Sequence, residues 1–82
     1  MNTVTVTLTR EQANRLEVFL LMSSKHRKGE AAAWDSLATE QNTDGTPKFK
    51  NAKSNADWWR ETDRIMEEVY SAVSKATMEE TA

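Results

Sequence analysis

The stretch Asn51 to Thr77 constrains this chain more than any other. With successive residues about 100° apart on a helix, it divides into two faces. Trp58, Trp59, Thr62, Ile65, Met66, Val69, Tyr70, Ala72, Val73 and Ala76 fall in one broad arc. Asp57, Arg60, Asp63, Arg64, Glu67, Glu68, Ser71 and Lys75 fall in the other. Such a segment is an amphipathic helix, and its apolar face must be buried against something. Trp58 lies inside the apolar arc and Trp59 at its edge, and because they sit about 100° apart the two need not face the same layer.

At 82 residues the chain makes one domain, 1–82, near the size at which a single core is barely sufficient. Only two glycines and one proline are present, which argues against an all-β fold with its many turns. Cysteine is absent, so neither a disulfide nor a thiolate metal site can brace the fold. A small chain without such braces gains burial by associating with itself, and a homo-oligomer is expected. No apolar run reaches the length of a membrane span and no basic leader precedes one. The expected location is therefore the cytoplasm, with no membrane contact.

The fold class expected is mainly α: an antiparallel helical assembly with a short N-terminal β-strand. Thr3 to Leu8 reads T-V-T-V-T-L, and this alternation predicts a strand over 3–8 with Val4 and Val6 on its buried side. The strand needs a partner, either the extended stretch Thr46 to Phe49 or the same strand of another subunit. Thr9 with Gln12 forms a capping box that opens a helix over about 10–28. Lys25, His26, Arg27 and Lys28 crowd its last turn, and Gly29 supplies the stop. A second helix is expected over 30–41, with one helix bent through Gly29 as the alternative. The turn-forming loop Asn42 to Pro47 precedes the last helix, 51–77.

Charge is segregated along the chain, although the net value is only -2. Lys25, Arg27 and Lys28 form one basic cluster, and Lys48, Lys50 and Lys53 another. Cations beside aromatic rings suit an anionic ligand with a base to stack. These six residues with Trp58 and Trp34 are the candidate ligand site for a cyclic or linear nucleotide. Val18-Phe19-Leu20-Leu21-Met22 is apolar around the whole helix, which no single packed face can use. Val4, Val6, Val18, Phe19, Leu21, Met22, Trp59, Met66 and Tyr70 are the candidate interface. Ser23, Ser24, His26 and Glu30 lie near one another, but a nucleophilic site also needs an oxyanion hole and a shaped cleft. No metal or phosphate-loop signature accompanies them. The chain is read as a non-enzyme with no cofactor and no metal.

The opening T-V-T-V-T-L-T-R-E-Q-A and the later D-G-T-P-K-F-K-N-A-K-S-N-A-D-W-W resemble small uncharacterised proteins of bacterial phages and mobile elements. The likeness covers most of the chain and carries no catalytic or binding residues across. It implies a protein that acts by occupying something. The first expectation is antagonism of host defence by sequestering a nucleotide signal at a subunit interface. A second is a protein–protein inhibitor that presents Glu61, Asp63, Glu67, Glu68, Glu79 and Glu80 to the basic groove of a host-defence or nucleic-acid-handling protein. A third is an assembly subunit without ligand. Direct nucleic-acid binding is disfavoured by the net charge.

Overall fold

The computed structural model describes residues 2–81. The protein is mainly helical, a hairpin of two long helices, α1 (Arg10–Ala38) and α2 (Ala52–Thr81). The predicted capping box opens α1. The Thr9 hydroxyl accepts from the Gln12 backbone N–H at 3.1 Å, and the Gln12 side chain accepts from the Thr9 N–H at 2.9 Å.

Two expectations are corrected. The first is the division of the N-terminal helical region at Gly29. The helix of 10–28 and the helix of 30–41 are one unbroken element that ends at Ala38. A mid-helix glycine costs only about 1 kcal/mol relative to alanine. Bonds from Ser24, Arg27 and Lys28 to α2 hold the backbone helical on its N-terminal side. Lys25 to Lys28 therefore stand at mid-helix, far from any helix end. The last helix begins at Ala52 and continues beyond Thr77, through Thr81.

The second correction is the strand. Residues 2–9 form no strand, and Val4 and Val6 are exposed. The candidate partner stretch is already engaged. Pro47 forms an isolated bridge with Gln41, and the Lys48 N–H donates to the Glu40 carbonyl at 3.0 Å. With no second strand among the described residues, the T-V-T-V-T-L segment has no ladder to join. The helical phase left open which tryptophan is packed: Trp59 is half-buried towards α1, whereas Trp58 is 59% exposed.

The connection between the helices is tied by its own polar side chains. Asp44 Oδ1 accepts from the Thr46 N–H at 3.0 Å and from its hydroxyl at 2.6 Å. These bonds hold the Asp44 carboxyl below the usual carboxylate range. Gly45 turns the chain at φ 87°, a left-handed conformation that costs other residues about 1 kcal/mol or more. The turn returns α2 antiparallel along the full length of α1, so that Glu17 meets Thr77, Ser24 meets Glu67 and Arg27 meets Asp63.

Small side chains set the helix contact. Ala31, Ala52 and Ala56 are buried with Leu20, and no large side chain among the described residues is fully buried. The molecule measures 61 × 28 × 15 Å, a single layer of helices. Its radius of gyration is 17.6 Å, against about 12 Å for a compact domain of this length.

Candidate functional site

The two flanks of the hairpin differ in chemistry. One is laced with charge, and its centre is Arg27. This side chain is almost wholly buried, yet no buried nitrogen of its guanidinium is left without a hydrogen-bond partner. Nε donates to Asp63 Oδ1 at 2.8 Å, Nη1 donates to the Leu20 carbonyl at 3.3 Å and to the Ser23 hydroxyl, and Nη2 lies 3.6 Å from Glu67 Oε1. Lys28 Nζ adds contacts to Asp63 at 3.1 Å and to the Ser24 hydroxyl at 2.8 Å.

The network perturbs the groups that compose it. Burial pushes the Asp63 carboxyl upward, but hydrogen bonds from Arg27 and Lys28 outweigh it and hold the group below its ordinary value. The hydrogen bond to Asp63 raises Lys28. A carboxylate with a depressed folded value contributes stability above its unfolded pKa, about pH 4, and loses it as pH falls through the folded value. The melting temperature is therefore expected to hold between pH 7 and about pH 5, then to fall below about pH 4. Circular dichroism melts across that range check this, with Asp63→Asn as the comparison. A wild-type acid limb no steeper than the variant's would refute the assignment.

Further along this flank, Arg60 bridges Asp35 and Asp57, and Arg64 bridges Glu61 and Glu68. The hydrogen bond from Arg64 lowers Glu61. Three acids of the proposed phosphate-mimicking face, Glu61, Asp63 and Glu68, are thus directed at the protein's own arginines, and Glu67 faces Arg27 and Lys28. Glu80 lies outside the residues whose side chains are described.

The opposite flank is apolar and aromatic. Trp59 stands edge-on to Trp58, with ring centroids 5.1 Å apart, and edge-on to His26 at 5.7 Å. Helical phase places Phe19 of α1 and Ile65 and Val69 of α2 on this side. Phe19 and Ile65 are exposed there, and Val69 is half-buried with Met66 and Tyr70. At the open end of the hairpin, Val6 and Leu8 line a hollow of about 560 Å³ with Ala13, Ala72, Val73 and Ala76.

A third surface lies on α1 facing away from α2. Glu11, Arg15, Val18, Met22, Lys25, Gly29 and Ala32 follow alternating steps of four and three residues, the spacing of a helix-packing seam. Val18 is 54%, Leu21 60% and Met22 75% exposed. A shallow hollow of about 660 Å³ runs along this side between Arg10, Asn14, Phe19 and Met22. At Gly29 an added Cβ would meet open space, so the backbone is bare at that point of the seam.

The candidate ligand residues are dispersed over these surfaces. Arg27 and Lys28 belong to the charged flank, Lys25 to the outward face of α1, and Trp58 to the apolar flank. Lys48, Lys50 and Lys53 are exposed where the connection enters α2, with Lys48 Nζ 5.6 Å from the Phe49 ring centroid. Trp34 is half-buried on α1. Of the candidate interface residues, Val18, Phe19, Leu21 and Met22 are left outside the hairpin contact, as their all-round apolarity implied. The heptad spacing through Gly29 was legible in the sequence but hidden by dividing the helix there.

Among the described residues no group of three or more histidine, aspartate or glutamate side chains is placed to hold a metal ion. No described helix is long and apolar enough to cross a membrane. The architecture defines a helical hairpin with one charged and one apolar flank. Set against protein families, curated proteins and solved structures, the chain matches none.

Proposed function

We propose that this protein is a non-enzymatic binding protein that acts by occupying another protein, and that its docking surface is the outward seam of α1. One observation carries the reading: Val18, Leu21 and Met22 stay exposed on α1 in the hairpin, although each is large and apolar. Exposed apolar side chains at helix-packing spacing suit an amphipathic helix laid along α1. Bare backbone at Gly29 permits close approach at one end, and Glu11, Arg15 and Lys25 supply a charged rim that sets register. The setting, blockade of a host-defence protein by a phage-type protein in the cytoplasm, comes from the resemblance of the sequence; the surface chemistry comes from the hairpin.

The test is a photo-reactive residue placed at Met22, with one at Lys75 as the control. The expected result is a cross-link at Met22 to a helical segment of one host protein, lost when Val18→Glu is added while helix content is unchanged. Cross-links of equal yield from Lys75, or capture indifferent to Val18→Glu, would refute it.

Nucleotide sequestration stands second. It is favoured by exposed Lys48, Lys50 and Lys53 around Phe49, and weakened because Arg27 and Lys28 are engaged with Asp63 and Glu67. Stoichiometric quenching of tryptophan emission by an added nucleotide, abolished by Lys48→Glu with Lys50→Glu, would reverse the order of the two readings.

A further inference from the structure

We infer that the apolar flank is covered by the same flank of a second copy, related by a two-fold axis parallel to the helices, to give a four-helix bundle. The flank shares Phe19 with the hollow along the outward seam of α1 but is otherwise separate from it, and the inference rests on the hairpin alone.

Area is the first argument. The chain exposes 6694 Å², whereas a compact monomer of 9.3 kDa exposes about 5,000 Å². The excess, about 1,700 Å² per chain, summed over two chains falls within the range buried by obligate homodimers. Thickness agrees. Domains are built from two packed layers around a core, and this hairpin is one layer 15 Å thick. A second layer can be added on one side only, because the other flank carries the Arg27, Lys28, Asp63 and Glu67 network.

The identity of the occupant follows from the size of the core. With Leu20 and three alanines as its buried apolar residues, the hairpin has little to hold it together unaided. Its cover must be present whenever the chain is folded, and a second copy always is. Register then favours the parallel axis. The cross-helix bonds Glu17–Thr77, Ser24–Glu67 and Arg27–Asp63 show which levels of α1 and α2 coincide. Phe19 is level with Ala72, and Trp58 is level with Ala33. An axis parallel to the helices sets α1 of one copy against α2 of the other. Each large side chain then meets a small one: Phe19 enters the hollow beside Ala72 and Ala76, and Trp58 covers Ala33. An axis perpendicular to the helices would instead lay α1 on α1.

The chain has no cysteine, so single cysteines report the register without background. One chain carrying only Phe19→Cys is mixed with another carrying only Ala72→Cys and oxidised. The expected product is a mixed disulfide dimer in excess over either like-with-like dimer. Native mass spectrometry of the wild type is expected to show two copies, with a melting temperature that rises with protein concentration. A monomer with a concentration-independent melt would overturn the inference. So would preferential pairing of Phe19→Cys with itself, or a dimer in which the mixed pair does not form. Because each measurement uses the purified chain alone, loss of host-protein binding would not mimic any of these outcomes.

Discussion

Replacing Arg27 by alanine is expected to cost about 3 kcal/mol and to lower the melting temperature by about 15 °C. Arg27 is 5% exposed and joins α1 to α2 through Asp63, with Glu67 3.6 Å away. A buried ion pair adds little beyond what apolar side chains of the same volume would give, because removing both charges from water offsets most of their attraction. Breaking it from one side is different. Asp63 would keep only Lys28, and the Leu20 carbonyl and Ser23 hydroxyl would lose a donor in a place water reaches poorly. The control is the double change Arg27→Met with Asp63→Leu, expected to return within about 1 kcal/mol of the wild type. Chemical denaturation of the three proteins decides the matter. A single variant as stable as the wild type would show that the network is ornamental.

Leu20→Ala is expected to cost a similar amount, about 3 kcal/mol. Leu20 is the one large residue in the buried apolar set; its companions Ala31, Ala52 and Ala56 have no side chain long enough to refill the space. Helices already bonded to each other at Arg27 and Asp63 cannot close fully over the gap, so the cavity contribution adds to the lost transfer free energy. Val18→Ala, on the outward seam, is expected to change stability by less than about 0.5 kcal/mol. Thermal melts of both variants at one protein concentration test the contrast. Equal losses would mean that Val18 is covered in the folded protein, which would also remove the proposed docking seam.

Much of the architecture was legible in the residues. The amphipathic period of 51–77, the capping box at Thr9 and Gln12, and the turn around Asp44 and Gly45 are local, and local chemistry decides such features. The apolar ring at Val18 to Met22 likewise announced a helix with more apolar surface than one contact could use. Gly29 misled because propensity is a weak prior: a cost near 1 kcal/mol is overridden when neighbouring side chains are bonded to a facing helix. The Thr-Val alternation misled in the opposite way, since its period is real but a strand exists only with a partner. The roles of Trp58 and Trp59 stayed open because one arc contains both, and only the line of contact with α1 distinguishes its centre from its margin.

The sequence by itself thus determined that the chain is helical, where its first helix starts, and that it carries more apolar face than a hairpin can bury. Those properties follow from spacing along the chain. Which charges face each other was decided by the tertiary structure alone. Arg27 and Asp63 lie 36 residues apart, and no period in the sequence relates them. Their meeting depends on a continuous α1 and on the antiparallel return of α2, and it sets Arg27 and Lys28 on the charged flank.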